Sequence, residues 1–295
     1  VKKDKIKLVS AMTIFGTIGL VRKIIPYSST LISFVRAIIG TLFLLGLHFI
    51  KKEQFNKFEL KKNLPLLCAS GIALGVHWVF IFESYRFTTV AVGTICNYMA
   101  PVFVLLATPF ILKEKIPLKK GICAVIAVVG MVFVSGVIET GFTGLRGIMF
   151  ALASAVMYAT VIILNKKIRG LSGNERTIVQ LGVTAVVLGP YVLLTEHFTH
   201  YEIIPSGVVM LLVAGILHTG IVYALYFGSI QNLPASTVAL FSYIDPAVAV
   251  LISAFILREG LTFLAAIGVI MVIGAAVISE IDLDKRRKKR LPISR

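Results

Sequence analysis

Apolar residues run in long blocks along this chain, and the charged residues fall almost entirely in the gaps between the blocks. A helix needs roughly 20 mostly apolar residues to cross a bilayer. Ten stretches approach that length: 7–25, 30–50, 64–84, 90–112, 118–137, 145–165, 176–196, 206–230, 235–257 and 262–280. No stretch is left over for a soluble domain; the longest gap runs from Lys51 to Asn63. The pattern predicts an all-α integral membrane protein of ten transmembrane helices, with the lipid bilayer as its solvent.

The blocks then repeat. Adding 145 to Tyr98, Pro101 and Glu114 gives Tyr243, Pro246 and Glu259; upstream of a short insertion an offset of 141 carries His77 to His218 and Tyr85 to Tyr226. The chain reads as a first unit over 1–140, a second over 141–284 and a basic tail over 285–295. The repeat moves the fourth span onto the ninth. That shift of five is odd, so equivalent helices cross the bilayer in opposite directions. Two five-helix units in inverted topology around a central cavity are the arrangement of secondary transporters. An old duplication in a membrane enzyme or scaffold would leave the same trace.

Composition agrees with the pattern. The chain is 57% hydrophobic and 15% charged, against about 25% charged in soluble domains, with a mean hydropathy of +0.92. The formal charge of +16 would suggest nucleic acid in a soluble protein. Here no basic face is interleaved with exposed aromatics, so nucleic-acid binding is set aside. The basic residues instead mark topology. With the N-terminus in the cytoplasm, the outer segments hold only Arg22, Lys23, Arg86, Arg146 and Arg258. Both termini are then cytoplasmic, and Lys285–Arg290 is a basic anchor beside the membrane. The Lys-rich start resembles a signal peptide, but no small-x-small cleavage site follows, so it reads as the first span. Cys68, Cys96 and Cys123 lie inside apolar stretches without any CxxC or Cys/His cluster, which points to no disulfide and no metal.

Candidate chemistry lies at a few polar positions within the spans. On span four, Thr94, Asn97, Pro101 and Thr108 share one helical face, and the repeat places Ala239, Ser242, Pro246 and Ser253 on span nine. Such a stripe faces protein or water: it lines a cavity or packs helices closely. Pro101 and Pro246 are helix kinks; they free the carbonyls of Asn97 and Ser242, which ligand, water or neighbouring hydroxyls must satisfy. Asp245 is the one carboxylate deep within a span. It serves as a proton-coupling group, a polar anchor or a hydrogen-bonded pin. His77 and His218, within spans three and eight, are binding or relay groups or packed histidines. Trp78, Tyr98, Tyr158, Tyr223 and Tyr243 are candidate aromatic walls. Arg36, a short way into span two, is expected to snorkel to the outer surface. Glu114 and Glu259 are expected to serve the N-termini of the helices that follow them. No catalytic triad, zinc signature, P-loop or other cofactor motif stands out, and an enzyme is not expected.

At this point the residues match a known pattern. Ala91–Gly130, with YMAPVFVLLATPFILKEKIPL, and Pro234–Ala275, within LPASTVALFSYIDPAVAVLISAFILREGLT, resemble the drug/metabolite transporter superfamily, specifically its EamA-type ten-helix branch. Asp245, Pro246 and Glu259 match the second copy of that pattern, and Pro101, Glu114 and Gly130 the first. Phe34-Val35-Arg36 resembles its Arg-bearing second helix. The Gly usual before each hairpin Glu is Lys113 and Arg258 here, and Cys123 stands where Gly is common. The resemblance implies a cavity lined mainly by spans one, three, four, six, eight and nine, with five and ten peripheral.

The reading that follows is a secondary transporter of the bacterial cytoplasmic membrane. It exports an amino acid or related small metabolite by alternating access, as a monomer without a cofactor. Substrate is expected at His77, Trp78, Asn97, Tyr98, Tyr158, His218, Tyr223, Ser242 and Tyr243, with Asp245 nearby. A nucleotide-sugar or phosphorylated-metabolite carrier, or a lipid flippase, is the alternative.

Overall fold

The computed structural model describes residues 2–111, 118–134, 138, 144–196, 204–230 and 244–280. Among these there is no strand; every regular element is helical. Five helices are both long and apolar enough to cross a membrane: Ser29–Ile50, Lys57–Phe87, Leu145–Asn165, Gly173–Thr195 and Pro205–Tyr226. Shorter apolar helices lie within four of the remaining stretches, and helices Lys2–Gly16 and Ile18–Ile24 occupy the first. Ser242, Tyr243, Glu114 and the basic tail lie outside the described residues.

Helix starts follow local chemistry. Backbone N–H groups orphaned at each N-terminus need an acceptor. Ser28 accepts from Leu31 N, Asn56 from Glu59 N and Thr89 from Val92 N. Ser172 and Glu175 form a reciprocal capping box. The Asn56 cap starts its helix at Lys57, ahead of the apolar stretch at 64, so half of the expected polar gap is helical.

Four spans depart from plain α-helix. The first breaks at Thr17, between Lys2–Gly16 and Ile18–Ile24. The fourth breaks at Tyr98 and Met99, between Val90–Asn97 and Ala100–Ile111, just ahead of Pro101. That is where a proline lacking its N–H and crowding the preceding turn is expected to interrupt the ladder. The eighth widens into a π-helix over Val213–Ile221, and a second π turn spans Ile252–Ile256.

Packing relies on small residues, because lipid tails give apolar helices little hydrophobic reason to associate. A Cβ on Gly71 would fall 2.7 Å from the Gln180 carbonyl, so helix 57–87 rests directly on helix 173–195. Gly130 and Gly268 each face the other's carbonyl, closing helices 118–134 and 263–280 backbone to backbone. A central cluster of Ile32, Trp78, Phe82, Tyr85 and Leu181 joins helices from both halves of the sequence. Helices 118–134 and 263–280 pack on each other at one side and contribute none of the described candidate site residues.

Gly268→Leu is expected to destabilise the protein, because its Cβ would lie 2.4 Å from the Gly130 carbonyl. Overpacking of this kind costs about 1–3 kcal/mol, read as a lowered thermal unfolding midpoint in detergent. Gly274→Ala on the same helix, with nothing within 4 Å, is the control and should be neutral.

Candidate functional site

Arg36 does not snorkel. It is 4% exposed, and its guanidinium stacks 4.0 Å above the Trp78 ring and 5.3 Å from Phe82. Its Nε donates to Thr219 Oγ1 at 3.0 Å. One turn further along the same helix, Gly40 explains the inward course: a Cβ there would fall 2.4 Å from Thr219 Cγ2. The glycine lets helix 29–50 close onto the π-helical turn, and the arginine is carried in with it. The π geometry matters too. The Thr219 hydroxyl donates to the carbonyl five residues back, Ala214 O at 2.9 Å, leaving its oxygen free to accept from Arg36.

His77 and Trp78 face different neighbours, as their separation of about 100° around the helix requires. His77 Nδ1 lies 2.7 Å from Ser154 Oγ and 3.1 Å from Ser154 O. Ser154 Oγ is also 3.1 Å from Asn97 Oδ1. The His77 ring stacks on Tyr158 at 4.9 Å and 23°. One serine therefore links spans three, four and six. Tyr158 keeps 37% of its surface open.

On the other side, His218 Nε2 lies 2.8 Å from Thr17 Oγ1, at the break in the first span. Phe15 meets Tyr223 and Tyr226 edge-on, at 5.3 and 6.3 Å. Gly16 approaches the Asp245 carbonyl so closely that a Cβ would come within 2.6 Å. Asp245, half-buried, takes a hydrogen bond from the Tyr98 side chain. This bond joins the fourth span at its break to the ninth. Tyr85 bonds Thr94 Oγ1 at 3.0 Å, so the span-four stripe is engaged by protein at Thr94 and Asn97. Of the two kink prolines, Pro101 follows the break in span four and Pro246 is buried in the first turn of helix 244–251.

These groups share one electrostatic neighbourhood. Arg36 acts on His77, His218, Tyr85 and Tyr223, while Asp245 acts on Tyr85, Tyr158 and Tyr223. The candidate residues His77, Trp78, Asn97, Tyr98, Tyr158, His218, Tyr223 and Asp245 thus come together. Arg36, Ser154, Thr219 and Thr17 join them without having been marked as site residues. Their one sequence trace is a polar or small side chain inside an apolar block. Span two joins this cluster, through Arg36.

Glu259 serves a different helix from the one expected. Its Oε2 accepts from Val90 N at 2.9 Å and from Ser253 Oγ at 2.6 Å, and Lys23 Nζ lies 3.0 Å from Oε1. It caps the start of span four and ties the ends of spans one and nine to it. An apolar groove of about 620 Å³ between helices 118–134 and 263–280 lies apart from all these polar groups. Its outward Leu118, Ile122 and Ile270 fit a lipid-facing surface. Among the described residues no group of acids, histidines and cysteines is placed to hold a metal.

A helical membrane protein with polar groups converging between its spans defines a transporter-type architecture. The comparisons agree: residues 6–136 and 145–280 each match the EamA-like transporter family, and the chain belongs to that family. It is therefore a transporter-family protein of the drug/metabolite superfamily. It is 31% identical over 282 residues to an uncharacterized transporter, YxxF, of Bacillus subtilis, covering 93% of this chain and 88% of that one. It is 24% identical to the threonine/homoserine exporter RhtA of Escherichia coli, covering 98% and 95%. A solved crystal structure with 17% identity superposes with a TM-score of 0.70 over 98% of this chain and 99% of that one, which supports the fold.

Ser154→Ala is expected to leave Asn97 Oδ1 without its serine donor, while His77 Nδ1 keeps the Ser154 carbonyl. A buried polar group left unsatisfied costs about 1–3 kcal/mol. The measurement is thermal unfolding in detergent; an unchanged midpoint would show that the link contributes nothing to the fold.

Proposed function

We propose that this protein is a secondary transporter that exports an amino acid or a closely related metabolite across a bacterial cytoplasmic membrane. It works by alternating access, as a monomer, with its two repeats in inverted orientation and both termini in the cytoplasm. The observation that carries this reading is the interior polar cluster. Hydrogen-bonding and aromatic groups from several spans converge beside the exposed face of Tyr158, and polar groups within membrane spans mark solute pathways.

Three features support the details. The name of the RhtA relative supports the amino-acid class and the outward direction. The interrupted spans one and four meet at the cluster, and broken helices are where transporters of inverted-repeat design hold their ligands. The Lys23–Glu259 pair ties three span ends together on one side of the site, as a closed gate would. Ser242 and Tyr243, at the repeat positions of Asn97 and Tyr98, complete the binding set in this reading. Asp245 is the coupling group: a proton and a cationic part of the substrate compete for its carboxylate. A nucleotide-sugar or phosphorylated-metabolite carrier would need several interior cations. Arg36 stands with a carboxylate in the same neighbourhood, which disfavours a polyanion.

Protein reconstituted in liposomes is expected to show saturable amino-acid flux. Tyr158→Ala should reduce it about tenfold, the loss of about 1.4 kcal/mol typical of an aromatic contact. Saturable flux of nucleotide sugars or headgroup-dependent lipid movement, without amino-acid flux, would overturn the reading. Asp245→Asn should flatten the pH dependence of flux; an unchanged pH profile would take Asp245 out of any proton role.

A further inference from the structure

Most charged groups of the described structure outside the site have a visible partner. Glu83 takes hydrogen bonds from Arg86 and Ser29, Glu175 from Asn56 and Ser172, and Glu259 pairs with Lys23. Arg176 donates to the carbonyls of Leu171 and Asn165. Arg36 and Asp245 are the charged groups at the site itself. Each lies within a span, and neither forms an ion pair with the other or with any described residue.

An interior cation without an anion is costly, and stacking on Trp78 offsets only part of that cost. The geometry of Arg36 also leaves chemistry unused. Nε is committed to Thr219, while the two terminal amino groups make no protein hydrogen bond among the described residues. Those groups form the planar fork that receives a carboxylate through two parallel bonds. Asp245 is the complement. Its carboxyl is held by Tyr98 from the broken span four, with acceptor capacity remaining for an ammonium group. A run of neighbouring side chains joins their surroundings: Phe82, beside Arg36, precedes Tyr85 by one turn, Tyr85 bonds Thr94, and Thr94 precedes Tyr98, the donor to Asp245, by one turn.

We propose that Arg36 binds the carboxylate of the transported solute, and that Asp245 with Tyr98 binds the ammonium group of the same molecule. The ligand class is an α-amino acid zwitterion with an uncharged side chain. This deepens the amino-acid reading above and rests on it for the substrate, but the role of Arg36 can be tested separately.

The experiment is ligand-induced thermal stabilisation of the full-length protein in detergent with three matched series: the standard L-amino acids, their carboxamides, and the corresponding 2-hydroxy acids. Removing either charge from a bound amino acid should weaken apparent affinity by about 30-fold or more, as for loss of one partner of a buried charge pair. In Arg36→Gln the distinction between acid and carboxamide should vanish; in Asp245→Asn the distinction between amino and hydroxy acid should vanish. A carboxamide that binds the wild-type protein as well as its acid would overturn the assignment of Arg36. So would an Arg36→Gln variant that still prefers the acid. Should Arg36→Gln fail to fold, the wild-type comparison decides alone. Binding of hydroxy acids but not amino acids, lost in Arg36→Gln, would retain Arg36 as the carboxylate anchor and overturn the amino-acid reading. Binding by none of the three series would overturn both.

Discussion

A guanidinium inside a membrane protein cannot draw on solvent, so the protein around it must supply every compensation. Arg36 sets that requirement here. Trp78 and Phe82 lend their ring faces, and Thr219 lends an oxygen. The oxygen is available only because the π-helical turn lets the Thr219 hydroxyl spend its proton on Ala214. The turn in turn sits close enough only because residue 40 is glycine. Helix 29–50, the widened eighth span and the long third helix are therefore positioned together, and the candidate site forms where they meet.

The same economy of small residues recurs wherever helices touch. Gly16 against the Asp245 carbonyl brings the break in the first span to the start of helix 244–251. Gly93 admits the Tyr85 ring, which then reaches Thr94. Gly71 seats helix 57–87 on helix 173–195. In each case the missing Cβ decides which polar side chains come within bonding distance. The packing glycines are thus part of how the site is made, even though none of them carries chemistry.

Much of the fold was legible in the sequence. The apolar blocks correspond to the helices, and Pro101 marks the break at Tyr98 and Met99. His77, Asn97, Tyr98, Tyr158, His218 and Asp245 do gather in one region. What could not be read was the direction of side chains whose fate depends on a neighbouring helix. Arg36 lies near enough to a span end that snorkelling was the local optimum; only contact with Thr219 and Trp78 draws it inward. Ser154 is one small residue among alanines, and nothing along the chain shows that it sits between His77 and Asn97. Glu259 follows its own span but caps span four, a pairing set by the tertiary fold. Periodicity reports burial, whereas hydrogen-bond partnership between helices is a tertiary property.

The node at Glu259 has a mechanical consequence. One carboxylate simultaneously holds Lys23, the Ser253 hydroxyl and the first amide of helix 90–97. The part-exposed Lys23 pair can open alone at a cost of about 0–1 kcal/mol, but the two hydrogen bonds share Oε2 and are lost together. Pulling the carboxylate away strands the hydroxyl and the helix terminus together. The start of helix 90–97 and Ser253 of the ninth span are therefore joined at a single oxygen, and displacing it loosens both at once.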